Sequence, residues 1–127
     1  MVKANFAKAT TGRAICPIRD VLDRVGDQWS LLVLGALAQD TLRFNVLKRE
    51  VEGISQQMLA RTLRRLEEDG LVSRKPFPVI PPRVDYALTP LGRSFLEPFS
   101  TLITWADKNH PAIQAARKSY RSRHPKA

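Results

Sequence analysis

"ISQQMLARTLRRLEEDGLVSRK", residues 54–75, decides the fold. Ser55 is a good helix N-cap, because its hydroxyl accepts from a backbone N–H of the first turn. At 100° per residue, Ile54, Met58, Leu59, Thr62, Leu63 and Leu66 gather on one side. Gln57, Ala60, Arg61 and Arg64 fill the opposite side, with Gln56 at its edge. Glu67, Glu68 and Asp69 crowd the last turn, where the helix dipole disfavours negative charge. Their spacing pairs them with Arg64 and Arg65 at i+3 and i+4, in the weaker orientation. Gly70 ends the helix. The chain then turns basic and strand-like, so the stretch holds a one-sided helix and the start of a hairpin.

The flanking segments extend this reading in both directions. Upstream, "FNVLKREV" (44–51) is a helix with Phe44, Leu47 and Val51 inward, and "EGI" (52–54) is a tight turn in which Gly53 takes a positive φ. Downstream, "LVSRKPFPV" (71–79) and "RVDYALT" (83–89) read as two strands joined by a stiff "IPP" loop (80–82). Helix, turn, helix, hairpin is a helix-turn-helix followed by a wing. A helix that enters a major groove needs one apolar face on its own domain and one face that reaches base edges and phosphates. Glutamine bonds adenine at two points and arginine bonds guanine at two points. Ser55, Gln56, Gln57, Arg61 and Arg64 supply that second face, and the acids, which repel phosphate, turn away with the last turn. Arg74, Lys75 and Arg83 place cations on the wing, where they grip phosphate or probe the minor groove. Blander readings exist for both parts. The helix face serves equally as a solvated surface, and the prolines and cations of the hairpin also block edge-to-edge pairing.

The remaining elements are helical. "CPIRDVLDRVG" (16–26) is a short helix with Pro17 in its first turn and Ile18, Val21, Leu22 and Val25 on one face, stopped by Gly26. "QWSLLVLGALAQ" (28–39) is apolar nearly all round and reads as the buried central helix. "TLRF" (41–44) is briefly extended. Thr89 caps a last long helix with Pro90 at its first position and an apolar stripe through Leu91, Phe95, Phe99, Leu102, Ile103 and Ala106. Pro98 kinks it, and Asn109 with Pro111 starts another short helix. The expected organisation is a flexible arm over 1–14, one winged helix-turn-helix domain with dimerisation helices over 15–116, and a basic, disordered tail over 117–127.

The 127 residues carry 21 basic and 12 acidic side chains, a formal net charge of +9. A chain this basic expects a polyanion. The tail "RKSYRSRHPKA" supplies five of the cations and no acid, so the body is only mildly basic. Residues 1–14 have no apolar central run of a secretory signal, and the apolar patch Leu31–Ala38 is far too short to cross a bilayer. One cysteine permits no intramolecular disulfide, as suits a reducing compartment. These features place the chain in the cytoplasm, associated with the nucleoid and not with a membrane.

Taken in register, "CP" at 16, "GDQWS" at 26, "LRFNVLKREV" at 42, "GISQQMLARTLRRLEEDGLVSR" at 53, "PPRVDYALTPLG" at 81 and "W" at 105 resemble the HxlR-type winged helix-turn-helix transcriptional regulators of bacteria. The resemblance covers roughly residues 16–106. It implies an α+β, mainly helical fold and a homodimer built on the first and last helices. It also implies recognition of a palindromic double-stranded DNA operator through the fourth helix and the wing. Family members often carry a basic residue before the tryptophan. Here it is Gln28, so no phosphate contact carries over to that position.

No P-loop, GxGxxG or nucleophile-elbow context is present, and the acids are scattered or clustered at 67–69, which argues against an enzyme. His110 and His124 have no cysteine or carboxylate at ligand spacing, so neither a metal nor another cofactor is expected. Trp29 and Trp105 lie in apolar helical contexts and read as packing residues. Cys16 precedes the first helix, where backbone N–H groups and the dipole favour anions. It reads either as a thiol sensor, as in some relatives, or as a small buried hydrophobe. The alternative function is a winged-helix module that binds RNA or protein and is anchored by the tail. The effector, the operator sequence and the sign of regulation are not encoded in any motif.

Overall fold

The structure, a computed structural model, describes residues 16–126. The arm expected over 1–14 lies outside the described residues. In chain order the elements are α1 (Pro17–Val25), α2 (Gln28–Ala36), β1 (Leu42–Arg43), α3 (Phe44–Glu50), α4 (Gln56–Glu68), β2 (Val72–Phe77), β3 (Arg83–Leu88), α5 (Pro90–Ser94) and α6 (Leu96–Arg123). The fold is mainly helical with a small antiparallel sheet, as the sequence predicts. The chain divides into two units, Met1–Ser94 and Phe95–Ala127.

The core of the first unit forms where apolar faces converge. Val33, Leu34 and Leu37 from α2 and its end, Leu47 from α3, Leu59, Leu63 and Leu66 from α4 and Val72 from β2 are essentially inaccessible to water. Burying each such aliphatic side chain contributes roughly 1.5–3 kcal/mol relative to leaving it exposed. Asp27 caps α2, its carboxylate accepting from the Ser30 N–H at 2.7 Å and from the Ser30 hydroxyl at 3.1 Å. That pairing lets Ser30 lie buried with its polar group satisfied. The expectation of an all-round buried α2 needs correction, because Leu32 is half exposed and Gln28 and Gly35 are exposed beside it. At helical spacing these three form one open stripe, since the neighbouring elements cover only the opposite side.

The turn between α3 and α4 is built as its sequence predicts. Gly53 sits at φ 89°, and Ile54 turns inward beneath it. At the far end of α4, Gly70 sits at φ 77°. There the Leu71 N–H donates to the Leu66 carbonyl at 2.9 Å and the Gly70 N–H to the Glu67 carbonyl at 3.0 Å. This pair of bonds is the Schellman closure, which needs a left-handed residue that only glycine adopts cheaply. Thr89 then joins two elements, its hydroxyl donating to the Gly70 carbonyl at 2.6 Å and accepting from the Gly92 N–H at 3.0 Å at the start of α5.

The sheet order is β1-β3-β2, all antiparallel. The hairpin pairs Val72 with Leu88 and Phe77 with Arg83. The first strand ends at Phe77 rather than at Val79. Pro78 has no N–H for the ladder, and the Val79 N–H turns back to the Phe77 carbonyl at 2.9 Å. Pro76 is tolerated because β2 is an edge strand.

The second unit departs most from expectation. The last helical region breaks at Phe95, not at Pro98. Pro98 falls in the first turn of α6, where its missing N–H has no intrahelical partner to lose. The helix then runs 28 residues through Pro111, which starts no separate helix. Residues 117–123, expected to be disordered, are its last turns. Phe95 and Phe99 stack with centroids 5.8 Å apart, and Tyr120 and His124 stack at 4.1 Å. No residue of α6 is buried.

Candidate nucleic-acid interface

Ser55 caps α4 as predicted, its hydroxyl accepting from the Met58 N–H at 3.0 Å. Leu59, Thr62, Leu63 and Leu66 line the buried side of the helix. Gln56, Gln57, Arg61 and Arg64 stand exposed on the other side. None of these four side chains is hydrogen-bonded or ion-paired among the described residues, so all four are available to an external ligand. The helix therefore offers amides in its first turn and guanidinium groups one and two turns further along.

The acids at 67–69 pair differently from the sequence expectation. Glu68 and Asp69 are partnered by Arg24, at the end of α1. Its Nε donates to Asp69 Oδ2 at 2.9 Å, and its Nη2 donates to Asp69 Oδ1 at 3.0 Å and to Glu68 Oε1 at 2.5 Å. These carboxylates, Asp69 foremost, hold the guanidinium in its charged form more firmly still than usual. Arg65 also turns to α1, donating to the Asp23 carbonyl at 3.2 Å. An in-helix pair with the cation N-terminal to the acid is weak, whereas a guanidinium fork facing two carboxylates is directional and stronger.

The wing separates the cations that the sequence groups together. Cross-strand register places Lys75, Phe77, Arg83 and Asp85 on one face, while Arg74 shares the other face with Val72 and Tyr86. On the first face, the Arg83 guanidinium lies 4.3 Å from the Phe77 ring centroid and the Lys75 ammonium 5.5 Å from it. Cation–π attraction holds both charges over one aromatic ring. Arg83 Nε also pairs with Asp85 at 3.2 Å. The loop tip carries Ile80, which is fully exposed between Val79 and two prolines.

Arg43 is a residue that sequence reading misses. It stands opposite Asp85 through the β1–β3 pairing, so it joins Lys75 and Arg83 on the outer face. A cleft of about 460 Å³ opens beside it, bounded by Arg43, Phe44 and Asn45 on one side and Ile80, Pro81 and Arg83 on the other. The signal is weak in sequence, since a two-residue strand reveals its partner only through the topology of the sheet.

Cys16 occupies the N-cap position of α1 and is buried at 7% exposure. Its side chain does not cap the helix. Trp29 is half-buried, with its ring edge near the Gly53 turn, whereas Trp105 is 56% exposed on α6. No helix among the described residues is long and apolar enough to cross a membrane.

A helix-turn-helix with its wing matches a known family on both sequence and fold. Residues 24–114 match the model of the HxlR-like helix-turn-helix proteins. The chain belongs to that family. HxlR-type relatives include the helix-turn-helix transcriptional regulator YtfH of Escherichia coli K12, 44% identical over 102 residues that cover 80% of this chain and 81% of YtfH. The structure of the ytfH transcriptional regulator from Salmonella typhimurium superposes with a TM-score of 0.75 at 42% identity, covering 84% of this chain and 95% of that one. The redox regulator HypR in its reduced form superposes with a TM-score of 0.74 at 31% identity, covering 78% of this chain and 98% of its own. This HxlR-type chain is thus a transcriptional regulator of the helix-turn-helix class, and its relatives and fold are those of regulators, not of enzymes.

Proposed function

We propose that the protein is a cytoplasmic, homodimeric regulator that binds a palindromic operator in double-stranded DNA. Ser55, Gln56, Gln57, Arg61 and Arg64 on α4 face the major groove. Lys75, Arg83 and the added Arg43 contact backbone and minor groove from the wing side, with Arg74 contributing from the other wing face. The observation that carries this reading is the exposed amide and guanidinium face of α4, unpartnered among the described residues, opposite a buried side of Leu59, Thr62, Leu63 and Leu66. The exposed apolar residues Ile18, Val21 and Leu22 on α1, and Leu102, Ile103 and Trp105 on α6, support a second copy as the partner. Two recognition helices would then meet half-sites about 34–36 Å apart.

Selection of duplexes from a random pool tests the reading. Enrichment of an inverted repeat bound at least about 10³-fold more tightly than random DNA is the expected result. Uniform binding to any duplex, or tighter binding to RNA, would instead support the tail-anchored module.

The likeness to a redox regulator favours a second component, a response to thiol oxidants or electrophiles through Cys16. A single cysteine allows only a sulfenic acid, a mixed disulfide or an intersubunit bridge. Because Cys16 is buried, such a response requires the start of α1 to open first.

A further inference from the structure

We propose that Arg24 is a positioning residue for the recognition helix. Its guanidinium fixes the end of α4 to the end of α1, so the attitude of α1 sets sequence discrimination. This inference rests on the operator-binding reading above. Four bonds tie the two helices, three from Arg24 to Glu68 and Asp69 and one from Arg65 to the Asp23 carbonyl. Apolar packing holds α4 to the core, but the burial energy is non-directional, so a directional contact adds a sharper constraint on the helix's angle. A planar guanidinium facing two carboxylates has strict direction and supplies that constraint.

The contacts lie at the opposite end of α4 from Gln56 and Gln57, so Arg24 has no place on the reading face. A helix of 13 residues is about 20 Å long, and a tilt of about 5° at the tied end moves the other end by roughly 2 Å. Displacement on that scale breaks a two-point contact with a base edge, whose bonds tolerate only a few tenths of an ångström. Phosphate attraction is far less sensitive to it. The arrangement also accounts for acids at a helix C-terminus, where the dipole disfavours them unless a cation is brought in. Since α1 carries the exposed Ile18, Val21 and Leu22, a second copy seated on that face would act on the recognition helix through Arg24.

The test uses the full-length protein, the duplex that the wild type enriches from a random pool and a random duplex of equal length. Arg24→Ala should lower the ratio of the two affinities roughly tenfold, within the usual range of coupling between sites, while binding to random DNA and its salt slope stay within twofold. Asp69→Asn should lower the ratio in the same direction, and the double variant Arg24→Ala/Asp69→Asn should be no worse than Arg24→Ala alone. Arg24→Lys, which keeps the charge without the fork, should fall between wild type and Arg24→Ala. An unchanged ratio in Arg24→Ala overturns the proposal. So does a parallel loss on both duplexes with a lower salt slope, which would make Arg24 a phosphate contact. Additive effects of the two substitutions would likewise overturn it. If Arg24→Ala does not fold, the ratio in Arg24→Lys and Asp69→Asn decides by the same criteria. A wild type that enriches no sequence overturns the operator reading, and the positioning role falls with it.

Discussion

Gln57 and Arg61 lie one turn apart on the exposed side of α4, and neither contributes to the core. Substituting either by alanine should leave the circular dichroism spectrum intact and weaken operator binding by about 1–3 kcal/mol, with relaxed preference at one base pair. Unchanged isotherms for both variants would show that a different face reads the DNA. Cys16 admits a sharper contrast. A thiol oxidant should change the operator affinity of the wild type and not that of Cys16→Ser. Its burial predicts slow labelling in the folded protein that accelerates under mild denaturant. Identical responses in the two proteins would make Cys16 a packing residue. At this scale the sequence is most legible where the signal is local. The Ser55 cap and the positive-φ glycines 53 and 70 stand where the pattern places them, because each is decided by the few residues around it. Arg24 is illegible for the opposite reason. Its partners lie 44 and 45 positions away, and only the packing of α1 beside α4 brings them together.

Among elements, the helices and hairpin follow from periodicity, and several of the errors fall at prolines. A proline is read as a kink or a boundary when its place within the helix is unknown. Pro98 is harmless because it sits in a first turn, and Pro111 is carried by the length of helix on either side. The hairpin shows the limit of pattern in another way. Alternation separates Arg74 from Lys75, but only register reveals that Arg83 and Arg43 join Lys75 on one face. The basic end of α6 tests the division of labour between elements. Deleting residues 117–127 removes five cations held largely on helix, and should lower affinity for random DNA. The dependence of log affinity on log salt should flatten by about 0.9 for each phosphate that is no longer neutralised. The ratio of operator to random affinity should survive. Disappearance of that ratio would mean that the end of α6 reads sequence.

For the whole molecule, composition and charge point toward a polyanion partner, and motifs in register identify the family, but neither contains the assembly. The exposed apolar residues of α1 and of α6 are what support the proposed dimer. Leu102, Ile103 and Trp105 are each about half exposed in one chain, so light scattering should report a dimer at micromolar concentration. Trp105→Glu should shift that equilibrium to monomer and remove operator binding together with it. A wild type that remains monomeric even with operator present would defeat the assembly.

The bare surface of α6 has one further consequence. A helix without buried residues derives little stability from its own chain, because helical propensity alone is marginal in water. If the proposed dimer supplies its order, mass action makes the melting temperature rise with protein concentration. Under that proposal dilute subunits should fray along this helix and be cut by proteases that spare partnered ones. The abundance of such a dimer would then be set by loss of lone subunits as well as by synthesis. A cell that makes too little of it would keep even less.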